Sequence, residues 1–542
     1  MFKDNSNPSF DDLSYSEKTR VMEMVKKEAS RRDVLRWLAA TGMSIGASGA
    51  ILGTATQAWA NTPKRGGRLI FAGDAHGPAD TLDPALFTVA TDYFRGRMIY
   101  GSLTRLTSSL SYEPELAEEV LSNETATEWT FKLRRGIEFH DGKTMTADDV
   151  IYSMNRHLGE DSISKASPLV NMIQEWKKVN DYEVKAILKS PNADLPIALG
   201  TFHFKIIQDG TTDFRNPAGT GPYRVKEFRP GVRAVGSRFE NYWTEGAYLD
   251  EIEHFGIGDS VARLNAFLSG DVDAMINLPP KSMEQVEATE GKEIWSVESS
   301  AYVNIACRMD MQPSGNKDLI LAMKHLMDRE RLVKGVLKGQ GTLGNDQPIG
   351  PAYFDHYPDL PQRVLDPEKA KFHFDRSGIG STPIPIVTAD SAPGIVEQTL
   401  FLQREAAKIG LNIDVQKVST DGYYSAVWLK APMCTVSWNM RPTANLMLSL
   451  AFKSDAPWNE TYHQDSEFDR ILVEARGVTD PNKRKEMYAT LQEKIHNDNG
   501  SIIPLHRNYI DAVGSHVKGL TYVPLNNFGG SEAAPFLWRN DV

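Results

Sequence analysis

Three stretches of this 542-residue chain carry residue types that do chemistry, and their surroundings decide what each is for. His140-Asp141 places a base beside a carboxylate, the raw material of general acid–base catalysis. Gly136-Ile137-Glu138-Phe139 alternates ahead of the pair and Gly142 follows it, so the spacing predicts a hairpin turn rather than a catalytic dyad. Gly339-Gln340-Gly341-Thr342-Leu343-Gly344 fits G-x-G-x-x-G by letter. A dinucleotide loop must follow a strand and open a helix, whereas this one follows a helical stretch ending near Lys338 and leads into Pro348. It reads as a post-helix loop. Gly46-Ala47-Ser48-Gly49 lies inside an apolar N-terminal run and is no nucleophile elbow. The 12 histidines show no ligand spacing, and Cys307 and Cys434 form no CxxC. A preformed metal centre is not expected, nor is a cofactor. The two thiols read as buried apolar groups, with a single disulfide left open.

The elements that hold these residues alternate between strand and helix. Leu69–Phe71, Trp129–Leu133, Val179–Leu188 and Leu411–Val415 read as strands. Thr146 is placed to cap a helix starting at Ala147. Asp318–Lys338, Val396–Ile409, Phe468–Ala475 and Lys483–His496 have helical periodicity, and Ile502–Leu505 is a buried strand interrupted by Pro504. The class is mixed α/β. The length exceeds what one core accommodates, about 250–300 residues, so several lobes are expected. The net charge is −11, with no Lys/Arg block beyond the N-terminus, which argues against nucleic acid as a partner. Arg31-Arg32, the Gly/Ala-rich run from Trp37 to about Thr56 and the small-x-small Ala58-Trp59-Ala60 read as a twin-arginine export signal over residues 1–60, cleaved near Ala60. The expected location is therefore the periplasm.

Several motifs together carry a resemblance. They are Leu82-Asp83-Pro84, Tyr112-Glu113-Pro114-Glu115-Leu116-Ala117-Glu118, Trp129 to Gly142, Thr146 to Ser153, Gly219-Thr220-Gly221-Pro222-Tyr223, Asn241-Tyr242-Trp243, Gly270-Asp271-Val272-Asp273 and Ile503-Pro504-Leu505. In this order the chain resembles the large extracytoplasmic solute-binding proteins of peptide, nickel and opine ABC importers, family 5. The resemblance implies a class II periplasmic-binding-protein clamp: two lobes joined by a two-strand hinge, plus an extra lobe. It implies domain I from residues 61–104, 217–305 and 511–542, domain II from 105–216 and domain III from 306–510. It implies a monomer that catalyses nothing, captures a small solute by closing, and hands it to the ABC permease and its ATPase subunits. A metal-chelate or haem carrier on the same scaffold stays open, as does, more remotely, a periplasmic hydrolase.

The resemblance also nominates the pocket. Peptide-binding members have a tryptophan in the stretch matching Ser437-Trp438-Asn439-Met440-Arg441, with an acid three residues on that takes the peptide's ammonium group. Here Trp438 matches the tryptophan, as a pocket wall or equally as a core residue, and Arg441 stands in the acid's place. A guanidinium repels an ammonium group and matches a carboxylate, so the expected ligand bears a carboxylate or another anion. Alternatively, Arg441 pairs with a pocket acid and only shapes the cavity. Asn439 either orients a polar ligand group or caps a loop. Thr88, after the Leu-Asp-Pro turn, is expected to donate from domain I, and Tyr302 and Asn304 to face the cleft from the hinge strand.

Overall fold

The structure is a computed structural model that describes residues 62–420 and 422–542, with Val21, Val34 and Leu38 alone before them. The export signal expected over residues 1–60 otherwise lies outside the described residues. Among the described residues no helix is long and apolar enough to cross a membrane.

One 11-stranded mixed sheet organises the molecule. Its central pair consists of two long antiparallel strands, Lys292–Cys307 and Ser501–Gly514. Beside their Cys307 and Ser501 ends lie Met433–Trp438, Ile384–Thr388 and Ile413–Lys417. Beside the opposite ends lie Ala274–Met275, Arg68–Gly73, Glu251–Gly256, Arg233–Arg238 and Tyr223–Arg229. The sheet is thus two half-sheets sharing two strands, and each half has its own core. Val303, Leu319, Ile386 and Leu402 belong to one, and Leu69, Phe71, Ile252 and Val513 to the other. Where the halves meet, the register slips between Val297 and Ala301. A separate four-stranded sheet (Ala117–Ser122, Glu128–Leu133, Glu183–Leu188, Ile173–Asn180) forms the extra lobe around Phe131, Phe139 and Val184.

Local chemistry explains the element boundaries. Thr146 and Asp149 form a reciprocal capping box on the helix Ala147–Asn155. Two expected elements come out divided. The strand expected over Val179–Leu188 is a hairpin of Ile173–Asn180 and Glu183–Leu188, because the Asn180 side chain accepts the Tyr182 N–H at 2.9 Å and turns the chain. The helix expected over Asp318–Lys338 is two, Lys317–His325 and Arg329–Gly335. Asp328 breaks it by leaving helical geometry and accepting the Arg331 N–H at 3.0 Å as a new N-cap.

The inter-lobe cleft as candidate ligand site

The second long strand crosses between the half-sheets, and its residues Arg507 to Ile510 floor a cavity of about 920 Å³. One wall comes from the half-sheet that carries the chain's first strand, through Asp74, Thr88, Tyr93 and Asn277. The other comes from the opposite half, through Gln340, Tyr424, Ser437 and Asn439, with Gly394 at the N-terminus of the helix Ile395–Lys408. A cavity walled by two separate cores is a cleft that narrows or widens as they tilt.

Strand alternation sorts the nominated residues. Asn439 lines the cavity and accepts the Tyr509 hydroxyl at 3.2 Å, and Thr88 lines it, exposed, from the other wall. Trp438 and Tyr302 are register partners and face away from the cavity, into the core with Tyr353, Met440 and Leu448. Trp438 is 4% exposed and Tyr302 0%. Asn304, also 0% exposed, is on the same hidden face. The sheet therefore separates these three from the cavity: Ser437 and Asn439 point one way and Trp438 the other.

What the hidden face holds is a carboxylate. Glu460 accepts Asn304 Nδ2–H at 2.7 Å, Trp428 Nε1–H at 2.8 Å and Trp438 Nε1–H at 3.2 Å. Burial raises its pKa above the usual carboxylate range, partly offset by these donors. Trp428, Trp438 and Trp458 pack mutually around it with ring centroids 5.8–6.4 Å apart. Asn304 and Trp438 thus have partners in the core that need no ligand.

Arg441 is half-buried beside the cleft. Its backbone N–H donates to the Tyr353 hydroxyl at 3.0 Å, its Nη1 donates to the Asn439 carbonyl at 3.2 Å, and its guanidinium lies 6.0 Å from the Trp438 ring centre. Among the described residues it forms no ion pair. A second guanidinium, which the sequence reading did not nominate, lines the cavity itself. Arg507 Nη2 donates to Ser437 Oγ at 3.2 Å and its Nε–H meets no acceptor. Tyr509 lies within electrostatic reach of both arginines.

The other motifs settle as structure. His140 Nδ1 accepts the Gly219 N–H at 3.2 Å, which leaves Nε2–H to donate to the Gly221 carbonyl at 3.0 Å. Burial pushes its pKa down to about 4, so it is a neutral staple. Its partners must be small: a Cβ on Gly219 would stand 1.9 Å from the Ile99 carbonyl oxygen. The Gly339–Gly344 stretch follows the helix Arg329–Gly335, and Gly341–Leu343 pairs with Arg507–Leu505. Cys307 and Cys434 are free and buried. Cys434 pairs in register with Ala306, which puts the two thiols on opposite faces of the sheet and precludes a disulfide.

These features define a two-lobed binding protein with a solute-sized cleft between its cores. The chain belongs to the bacterial extracellular solute-binding proteins, family 5, whose model matches residues 111–460. It is similar to the oligopeptide-binding protein AppA of Bacillus subtilis, 23% identical over 503 residues that cover 86% of this chain and 91% of AppA. It is also similar to the heme-binding protein A of Haemophilus influenzae, 24% identical over 491 residues, covering 82% and 88% of the two chains. In fold it is similar to the periplasmic binding protein DppA of Helicobacter pylori in complex with the peptide STSA, with a TM-score of 0.76, 21% identity and coverage of 90% of this chain and all of the other.

Proposed function

We propose that this protein is the exported capture component of an ABC importer, binding a small carboxylate-bearing solute between its lobes and presenting the closed form to a membrane permease. The observation that carries this reading is the cleft of about 920 Å³ with walls from two cores and a floor from the strand that joins them. A solute touching both walls binds the closed state better and shifts the population toward it. The anionic ligand class rests on the guanidinium groups of Arg441 and Arg507, neither of which has a carboxylate partner among the described residues. Thr88 and Asn439 supply polar contacts from opposite walls. On this reading the twin-arginine signal, cleaved near Ala60, sends the chain to the periplasm, where it works as a monomer. The repeated names among its relatives, oligopeptide and heme, are compatible with one scaffold serving different solutes.

A thermal-shift screen of the purified protein against peptides, opines, amino-acid conjugates, sugars and metal chelates tests the reading. A true solute at 100 times its dissociation constant stabilises by about 2.7 kcal/mol. The expected hits bear a free carboxylate and lose the shift when it is amidated. A screen in which no class produces a saturable shift would overturn capture, and hits confined to uncharged sugars would overturn the anionic ligand.

A further inference from the structure

We propose that Arg507 is the specificity-determining residue of the cleft, holding the anionic group of the solute against the floor strand; the proposal rests on the capture reading above. Arg95 is buried against Asp80 at 3.0 Å, Arg97 against Glu532 at 2.8 Å and Arg329 against Asp346 at 2.7 Å. Arg263, also buried, has no carboxylate but donates to the carbonyls of Ile276, Ile257 and Gly258 at 2.7–3.1 Å. Each follows the rule that a charge withdrawn from water needs an opposite charge or several acceptors.

Arg507, half-buried on the surface of the cavity, has neither. The guanidinium has five N–H donors; Nε–H meets nothing, as in Arg95 and Arg329, but where those forks hold a carboxylate this one meets, among the described residues, the neutral hydroxyl of Ser437. Its electrostatic neighbours are the phenols of Tyr509 and Tyr424, not carboxylates. Burial lowers the arginine's pKa from its usual value.

The geometry makes that vacancy useful. Arg507 lines the cavity, and so do Ser437, Tyr424, Asn439 and Tyr509 around it. A carboxylate or other planar oxyanion laid on the fork would take the idle donors in parallel. Tyr509 and Asn439 are already bonded to one another at 3.2 Å, so the floor is held in place before the solute arrives. Arg441 differs, because it hydrogen-bonds a main-chain carbonyl, lies over Trp438 and is not on the cavity surface. It adds positive potential from the side, and Arg507 makes the contact.

Fluorine NMR of trifluoroacetate, a minimal carboxylate probe, reads this directly on the purified protein. The wild-type protein should broaden the probe signal saturably. Arg507→Gln should weaken the probe by about ten-fold or more, the scale of one charge-assisted bond, with an unchanged far-ultraviolet circular dichroism spectrum. Arg507→Lys should recover part of the affinity, as a point charge without the fork does. Arg441→Gln should change it by less than Arg507→Gln does. Equal titrations of wild type and Arg507→Gln, or no saturable broadening of the wild type, would overturn the assignment. A screening hit whose thermal shift survives Arg507→Gln would overturn it too, while leaving capture intact. Probe binding that vanishes in Arg507→Gln, in a protein that no screened solute stabilises, would support Arg507 and count against capture.

Discussion

Glu460 shows how one buried acid changes the meaning of its neighbours. Three N–H donors converge on it, from Asn304, Trp428 and Trp438. Removing the carboxylate strands all three in an apolar core, at about 1–3 kcal/mol for each unsatisfied group. Glu460→Ala is therefore expected to cost about 3 kcal/mol or more in urea denaturation, while a solute hit keeps its affinity. A loss below about 1 kcal/mol would mean these side chains are not held as described. The same logic shows why Trp438, Tyr302 and Asn304 are hard to place from residue type alone. An indole or a carboxamide suits a pocket wall and a buried network equally, and the choice turns on which face of a strand meets which core. Arg507 is the converse case. It lies just beyond Ile502–Leu505, the stretch that reads as buried strand, and nothing local says that its side of the sheet opens on a cleft. That follows from pairing with Ala301, more than 200 residues earlier.

At the level of elements, the sequence pattern predicts existence better than continuity. The strands at Arg68–Gly73 and Glu128–Leu133 and the helices at Ile395–Lys408 and Pro481–Asp498 lie where alternation and helical spacing put them. The break after His325 is a matter of one side chain, because the apolar stripe continues across it and only the cap at Asp328 ends one helix and starts another. Asp328→Ala is expected to cost about 1 kcal/mol in thermal unfolding and leave solute binding unchanged, the usual effect of losing an N-cap. A stability equal to wild type would show that the cap does not define this boundary. The family motifs keep their order along the chain, and some of them mark a turn or a close approach. Gly219 against Ile99, stapled by His140, is one such case, where a side chain has no room.

For the whole molecule, burial sets the response to acid. His140, His157, His496 and His506 are pushed down to about 4 and His203 to about 3, with desolvation the largest cause in each. Each is neutral when folded and takes a proton at about pH 6.5 when unfolded. Between about pH 6.5 and 4 the unfolded chain binds more protons, so stability falls as pH falls, by up to ~1.4 kcal/mol per pH unit for each histidine. Asp355 and Asp511 act oppositely. Burial raises them to about 6 and about 7, so the folded state keeps protons that the unfolded chain has lost. Glu460 and Asp92 are raised in the same sense, but His254, His325, His356 and His463 are also lowered, so the histidines outnumber the acids and the melting temperature in calorimetry is expected to drop steadily from pH 6.5 to 4. A flat or rising profile would contradict the burial of these imidazoles.

Two half-sheets sharing a pair of strands, with a register slip where they meet, form a body able to bend at one place. The most direct test is small-angle X-ray scattering of the purified protein with and without a saturating solute from the thermal-shift screen. The radius of gyration should fall on binding as the two cores approach across Arg507, and the fall should be lost with Arg507→Gln at the same solute concentration. Scattering curves that superimpose with and without bound solute would contradict closure around a captured molecule.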